Sequence, residues 1–327
     1  MLIDDYDAAL FDLDGVVYLG PVGIPGAAEG LAELREHGTR VGFVTNNAAR
    51  SPETVVDHLV ELGIAAGISD VVVSSQAGAR LLAERIPAGS PVLVVGTQAL
   101  VDQVTNVGLR IAEPGEQPAA VIQGYHPELP WDSINQACLA IEAGALWVAT
   151  NLDSTRPTDQ GLVPGAGAQI AAVHMTVGIE PIVAGKPFTP LLEETIRRLD
   201  ARHPIFVGDR IDTDIDGAAA VGMESLLVFS GAHGKRDLIA AENRPTHIGW
   251  DLRALLQPAA EVLVDGASAR CGRARVTGSG ERWTVEVPND ADDQLDALRA
   301  LAALVPAGAD PQEPGLALAL DSLELVR

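Results

Sequence analysis

Short apolar runs alternate with amphipathic helical stretches along most of the chain, and this alternation constrains the fold more than any other feature. Helical patterns cover residues 27–36, 54–62, 131–143 and 190–199. The strands that we predict cover residues 8–13, 40–45, 71–74, 92–95, 119–123, 146–150, 182–184, 205–207 and 226–229. A βα rhythm of this kind is typical of parallel sheets with helices on both faces. We therefore expect an α/β protein with more than one doubly wound parallel sheet.

The pattern changes after residue 256. Residues 283–287 alternate like a half-exposed strand, and residues 292–304 have the spacing of an amphipathic helix. Residues 316–320 alternate Leu and Ala, which suggests another strand. The end of the chain is therefore expected to form a small, separate α+β appendage.

Length and composition indicate an ordinary globular protein. The 327 residues are 47% hydrophobic, enough for two or three domains. No run approaches the roughly 20 apolar residues that cross a bilayer. Asp4, Asp5 and Asp7 stand where a secretory signal would carry positive charge. We expect a cytoplasmic protein.

The formal net charge of −23 bears on the partners of the protein. A chain this acidic repels nucleic-acid backbones and anionic membrane surfaces, so neither is expected as a partner. The same charge repels a small phosphate ester, so a phosphate site would need a local cation. Cys138 and Cys271 are the two cysteines, which form neither a disulfide framework nor a zinc site.

Two acids end the first predicted strand. Asp12 and Asp14 are two residues apart at its carboxyl end, so their side chains project to the same side. The carboxyl ends of parallel strands border the crevice where α/β sheets bind ligands. An Asp pair followed by Gly15 also suits a simple turn, so the pair alone does not distinguish a site from a turn.

Other strands also end in polar residues. Thr45 and Asn46 carry a hydroxyl, an amide and backbone N–H groups that suit phosphate oxygens, although they also suit a turn. Lys186 follows the strand at 182–184, where a lone lysine usually extends to solvent. A run of acids follows the strand at 205–207: Asp209, Asp212, Asp214 and Asp216. Because like charges repel, this density of carboxylates indicates a bound cation.

Taken together, four segments resemble, in order and spacing, the motifs of the haloacid dehalogenase superfamily. They are Asp12-x-Asp14, Thr45-Asn46-Asn47, Gly185-Lys186-Pro187 and Gly208-Asp209-x4-Asp214. The long insertion between the second and third motifs resembles the α/β cap of NagD-like, phosphoglycolate and p-nitrophenyl phosphatases. The resemblance implies a catalytic core at 1–76 and 183–256 and a cap at 77–182, and it leaves the appendage at 257–327 unexplained.

The resemblance also implies a mechanism. Asp12 would be the nucleophile that attacks phosphorus, and Asp14 the general acid and base. Mg²⁺ would be held by the carboxylates of Asp12 and Asp209 and by the backbone carbonyl of Asp14, with Asp214 orienting metal-bound water. Lys186 is implied as the third catalytic residue.

Phosphate binding is implied for a second group of residues. Thr45, the backbone of Asn46 and Lys186 would stabilise the oxygens of the transferred phosphoryl group. Asp212 and Asp216 receive no definite role from the resemblance.

Substrate recognition is expected in the cap, which closes over the core in this family. Asn151 and Asp153 follow the strand at 146–150, and polar groups in this position can reach a small polar substrate or simply cap the loop. Arg156 is placed to meet a carboxylate on a substrate such as phosphoglycolate, or to remain solvated.

A capped phosphatase with a C-terminal extension resembles the glycerol-3-phosphate phosphatases, so glycerol 3-phosphate is the preferred substrate. The alternatives are phosphoglycolate, p-nitrophenyl phosphate, sugar phosphates and nucleotides. A phosphotransferase that excludes water from the aspartyl phosphate is a second enzymatic reading. A ligand-binding relic would lack a catalytic group, and none is missing from the four motifs. A homodimer formed through the cap or the appendage is also considered.

Overall fold

The computed structural model describes residues 1–158, 161–279, 282–287 and 290–326. The chain divides into two compact units. Unit 1 comprises Met1–Leu19, Gly23–Val41 and His203–Arg327, and unit 2 comprises Gly20–Val22 and Gly42–Arg202. The predicted division into core, cap and appendage stays a prediction.

The elements alternate as the sequence predicts. The strands are β1 Ala8–Asp12, β2 Tyr18–Leu19, β3 Val22–Gly23, β4 Arg40–Thr45, β5 Val71–Val73, β6 Pro91–Val95, β7 Arg110–Ile111, β8 Ala120–Gln123, β9 Leu146–Ala149, β10 Thr155–Thr158, β11 Gly161–Pro164, β12 Ile182–Val183, β13 Pro204–Gly208, β14 Glu224–Val228, β15 His247–Gly249, β16 Val262–Asp265, β17 Ser268–Cys271, β18 Ala274–Ser279 and β19 Arg282–Glu286. The helices are α1 Ala27–Glu36, α2 Pro52–Glu61, α3 Ser74–Ala83, α4 Gln98–Asn106, α5 Trp131–Glu142, α6 Ala166–Val177, α7 Thr189–Leu199, α8 Asp216–Ala220, α9 Lys235–Ala240, α10 Ala291–Leu304 and α11 Pro314–Asp321. The α/β fold class is confirmed.

Unit 1 contains parallel strands in the order β15-β14-β13-β1. Phe11, Phe206 and Leu226 are fully buried, as expected for strands that are covered on both faces. The register pairs Phe11 with Val207, so the carboxyl ends of β1 and β13 lie side by side. This arrangement places the residues that follow the two strands at one edge of the sheet.

The C-terminal part of unit 1 is an antiparallel sheet in the order β16-β17-β18-β19, together with α10 and α11. Its core is continuous with that of the preceding residues, because Leu298 and Leu301 of α10 belong to one buried cluster with Leu227 and Ile248. The C-terminal residues therefore share a hydrophobic core with β14 and β15.

The strand suggested at 316–320 is wrong, because these residues lie in helix α11. Pro314 occupies the first turn, where its missing N–H costs nothing. Leu316 and Leu320 are buried and Leu318 is exposed, which is the spacing of one helical face. The Leu/Ala alternation resembles a strand because it repeats every two residues.

Unit 2 contains its own α/β layer, a parallel sheet in the order β12-β9-β8-β6-β7. Helices α5 and α6 pack against it through a cluster that includes Ile141, Trp147 and Val173. Strands β10 and β11 form an antiparallel hairpin, and β4 pairs with β5 in parallel. Unit 2 therefore has a parallel sheet of its own, flanked by helices.

Among the residues that the structure describes, no helix has both the length and the apolar character needed to span a membrane.

The shared core of unit 1 predicts that the C-terminal helices stabilise the fold. Leu298→Ala should lower the free energy of unfolding by about 2–5 kcal/mol, because it opens a cavity in a fully buried position. Leu318→Ala is the matched control, since Leu318 is 72% exposed in α11 and should cost little. Chemical denaturation measures both variants, and equal small effects would contradict a shared core.

Candidate active site

The turn after β1 places Asp12 and Asp14. Asp12 is the last residue of the strand and is half-buried, whereas Asp14 is exposed. The N–H of Gly15 donates to the carbonyl of Tyr18 at 2.8 Å, and Gly15 has a φ of +92°, which favours glycine. The chain thus turns sharply directly after Asp14.

Three carboxylates of unit 1 converge at this edge of the sheet. Asp12, Asp209 and Asp214 each bring a carboxylate oxygen within 4.8 Å of the other two. Asp209 and Asp214 are almost fully buried, with 2% and 1% exposure. Ionised carboxylates buried at this spacing repel one another, and a cation bound among them would remove that repulsion. The sequence-predicted metal residues Asp12, Asp209 and Asp214 therefore do come together.

Asp214 holds the backbone that carries Asp209. Its Oδ2 accepts hydrogen bonds from the N–H groups of Asp209 and Arg210, both at 3.1 Å. It lies in a π-helical turn, Ile211–Ile215, a rare element that is frequent at functional sites. A Cβ at Gly208 would collide with the Asp214 side chain, so glycine is needed at that position. Asp214 is therefore suited to hold Asp209 in position.

The other two acids of the run lie apart from this group. Asp212 is exposed and pairs with the guanidinium of Arg210 at 2.6 Å. Asp216 begins α8 and accepts a hydrogen bond from the side chain of Asn243 at 3.0 Å. Neither belongs to the three-carboxylate group found among the described residues.

A segment that sequence reasoning missed braces Asp209. The N–H of Ala232 donates to Asp209 Oδ2 at 2.5 Å, and the N–H of His233 donates to the Asp209 carbonyl at 3.1 Å. His233 Nδ1 in turn accepts the N–H of Ile211 at 2.9 Å. A Cβ at Gly231 would collide with the Asp209 carboxylate. The sequence feature that could have identified this segment is its position, because Ser230 and Gly231 follow β14 at the same edge of the sheet.

The donor set suits a hard divalent cation. Carboxylate and carbonyl oxygens are the ligands that Mg²⁺ and Ca²⁺ prefer, and neither imidazole nor thiolate belongs to the group. The backbone carbonyl predicted as a further ligand belongs to Asp14, on the turn after Asp12. The residues present therefore fit the metal that the sequence implies.

Unit 2 carries the residues predicted to bind phosphate. Thr45 ends β4 and is buried, and its Oγ1 accepts the N–H of Asn47 at 3.1 Å. Lys186 is 2% exposed, which a lysine tolerates only with compensating negative charge or hydrogen bonds. The N–H of Lys186 donates to Asn46 Oδ1 at 2.8 Å, so Asn46 and Lys186 are joined directly.

The structure brings two of the predicted cap residues to Asn46. Asn151 Nδ2 donates to the carbonyl of Asn46 at 2.7 Å, and Asp153 Oδ1 accepts from Asn46 Nδ2 at 3.1 Å. Arg156 lies on the hairpin β10–β11, where its side chain donates to Tyr125 Oη at 3.0 Å and lies 5.0 Å from the centre of that ring. The predicted contacts of these residues with substrate stay predictions.

Comparisons with known proteins agree with these features. Residues 9–110 match the family described as haloacid dehalogenase-like hydrolase, and residues 183–255 match HAD-hydrolase-like proteins. The chain is 42% identical over 317 residues to a D-glycerol 3-phosphate phosphatase of Mycobacterium tuberculosis, covering 93% of this chain and 87% of the relative. It is 33% identical over 244 residues to a 5'-nucleotidase of Bacillus subtilis, covering 74% and 94% of the two chains.

A solved structure matches nearly the full length. The structure of a glycerol phosphate phosphatase from Mycobacterium tuberculosis in complex with magnesium has a TM-score of 0.86 and 39% identity, and the match covers 99% of each chain.

The packing of Gly231 against Asp209 predicts a loss of metal binding when Gly231 is enlarged. Mg²⁺ should raise the stability of the wild type by about 2.7 kcal/mol at 100 times its Kd. Gly231→Ala should weaken this effect, because the methyl group displaces the Asp209 carboxylate. Thermal denaturation with and without Mg²⁺ measures the change.

Gly67→Ala is the matched control, since a Cβ there would meet only Ser69 Oγ at 3.7 Å. Wild-type Mg²⁺ affinity in Gly231→Ala would show that the position of the Asp209 carboxylate does not govern metal binding.

Proposed function

The chain belongs to the haloacid dehalogenase-like hydrolases, and from this premise we propose that it is a Mg²⁺-dependent phosphatase that forms an aspartyl phosphate on Asp12. The observation that carries the proposal is the convergence of Asp12, Asp209 and Asp214. Asp209 and Asp214 are buried, and Asp12 is half-buried at the end of β1. This is the arrangement that a metal-dependent carboxylate nucleophile needs.

The carboxylates of Asp12 and Asp209 and the backbone carbonyl of Asp14 would hold the metal. When bound, Mg²⁺ offsets the repulsion between a carboxylate and a phosphate dianion. Asp214 keeps the Asp209 backbone in place through its two hydrogen bonds. It would also orient water at the metal.

Asp12 and Asp14 perform the two chemical steps. A carboxylate oxygen of Asp12 forms a bond to phosphorus as the bond to the leaving oxygen breaks, and Asp14 gives its proton to that oxygen. Asp14 then takes a proton from a water molecule whose oxygen bonds to phosphorus, and the Asp12–phosphorus bond breaks. The exposed position of Asp14 suits a group that must exchange protons twice in each cycle.

Thr45, the N–H of Asn46 and Lys186 are proposed to stabilise the oxygens of the transferred phosphoryl group. Their support is the order of the motifs and the burial of Lys186 with Asn46. A buried ammonium group gains most when an anion binds beside it. The ammonium group of Lys186 also supplies the local positive charge that a phosphate site requires in a protein with a net charge of −23.

Glycerol 3-phosphate is the substrate that we propose. The relative named a D-glycerol 3-phosphate phosphatase matches 93% of this chain, whereas the 5'-nucleotidase matches 74%. Phosphoglycolate, p-nitrophenyl phosphate, sugar phosphates and nucleotides are the alternatives.

Three further predictions belong to the proposal. The division into a core at 1–76 and 183–256, a cap at 77–182 and an appendage at 257–327 is retained. A cytoplasmic location and a homodimer through the cap or the appendage are retained as well. The net charge of −23 supports a small metabolite as partner instead of nucleic acid or membrane.

Replacing the nucleophile tests the mechanism. Asp12→Asn should lower kcat by at least about 1,000-fold, because an amide oxygen is a much weaker nucleophile. EDTA should abolish the activity of the wild type. Asp212→Asn is the matched control, since Asp212 lies outside the three-carboxylate group and should retain activity. Mg²⁺-dependent hydrolysis that survives in Asp12→Asn refutes the mechanism.

A phosphate-release screen tests the substrate. Glycerol 3-phosphate should give the highest kcat/KM among small phosphate esters. Inorganic phosphate should be released even when an alcohol is added as an alternative acceptor. A dominant preference for nucleotides would replace the substrate but leave the chemistry. Stoichiometric transfer to the alcohol without phosphate release would identify a phosphotransferase.

A further inference from the structure

The side-chain amide of Asn46 binds both backbone groups of Lys186. The Lys186 N–H donates to Asn46 Oδ1 at 2.8 Å, and Asn46 Nδ2 donates to the Lys186 carbonyl at 3.0 Å. This pair of hydrogen bonds fixes the point from which the lysine side chain extends. Both residues are buried, so water does not compete for these bonds.

Asp153 determines which way the Asn46 amide faces. Asn46 Nδ2 has two hydrogens, and the one that does not bind Lys186 is donated to Asp153 Oδ1 at 3.1 Å. A reversed amide would place its N–H against the Lys186 N–H and its oxygen against the Asp153 carboxylate. Both contacts would be repulsive, so the carboxylate selects the orientation that binds Lys186.

Asn151 ties the backbone of Asn46 to that of Asp153. Its Nδ2 donates to the Asn46 carbonyl at 2.7 Å, and its Oδ1 accepts the N–H of Asp153 at 3.1 Å. The Asn46 carbonyl also accepts from Ser74 Oγ at 2.5 Å. Asn151 is buried, and both ends of its amide are engaged within the protein.

Gly185 leaves space for this arrangement. A Cβ at Gly185 would lie 2.7 Å from Asn46 Oδ1 and 2.6 Å from the carbonyl of Thr150. Any larger residue would therefore push the amide away from the Lys186 backbone. The glycine before Lys186 and the asparagine after Thr45 thus serve the same local geometry.

We propose that Asn46, Asn151 and Asp153 form a clamp that positions Lys186 for phosphoryl transfer, so that Asn151 and Asp153 are positioning residues and do not recognise the leaving group. The proposal rests on the phosphatase function proposed above. It separates them from Arg156, whose side chain contacts Tyr125 on another part of unit 2.

Two substrates with the same phosphoryl group and different leaving groups test the clamp. Asp153→Ala should lower kcat by about 10- to 100-fold for both glycerol 3-phosphate and p-nitrophenyl phosphate, because a misplaced Lys186 affects the group that they share. Asp153→Asn keeps an acceptor oxygen and should stay within about threefold of wild type. A loss confined to glycerol 3-phosphate would overturn the proposal, and so would unchanged activity with both.

A double-mutant cycle tests whether Asp153 acts on kcat through Lys186. In a Lys186→Ala background, Asp153→Ala should change kcat by less than about twofold, because its partner in catalysis is already absent. A further loss equal to that in the wild type would overturn the proposal. If Asp153→Ala does not fold, Asn46→Asp replaces it, since a carboxylate there repels Asp153 and the Lys186 carbonyl.

Asp102→Ala is the matched control, since Asp102 is an exposed acid of unit 2 that binds Gln98 at 2.8 Å and should leave kcat unchanged. Thermal denaturation of each variant confirms the fold, and the Mg²⁺ concentration for half activity should not change. A wild type that releases no phosphate from any ester would refute the proposed function itself. An active wild type with unequal losses in Asp153→Ala would refute the clamp alone.

Discussion

Repulsion between buried carboxylates is the constraint on which the site depends. Two unit charges about 4–5 Å apart repel by about 3–4 kcal/mol at an effective dielectric constant of roughly 20. Asp12, Asp209 and Asp214 each have a carboxylate oxygen within 4.8 Å of the other two. The sheet holds them there because β1 and β13 are paired neighbours with parallel carboxyl ends. A divalent cation bound there would turn this unfavourable cluster into a binding site, and the proposed chemistry of Asp12 depends on it.

The strands and the convergence of Asp12, Asp209 and Asp214 were predictable because they obey local rules. Short apolar runs predicted β1, β4 and β13 nearly to their ends, and polar residues directly after them marked the carboxyl edge of the sheet. The helix α11 was mistaken for a strand because Leu and Ala alternate with the two-residue period of a strand. Leu316 and Leu320 are also four residues apart, which is the spacing of a helical face. Pro314, which begins that helix, was the signal that should have decided the question.

The support of the site was much harder to predict. Asp209 is braced by backbone N–H groups of Ala232 and His233, which any sequence could supply, so no residue type marks them. Asn151 and Asp153 were recognisable as functional candidates, yet the same polar groups serve a substrate or an internal network equally well. The hydrogen-bond partners that favour an internal network are distant in sequence, and only the folded chain shows them.

The account predicts that Asp12 and Asp209 share one divalent ion. Anomalous diffraction from crystals soaked in Mn²⁺ measures this directly. One anomalous peak at ligand distance from both carboxylates, with Asp214 behind it, is the expected result. Saturating Mn²⁺ that gives no peak between Asp12 and Asp209, or a peak bound to other residues, would contradict the account.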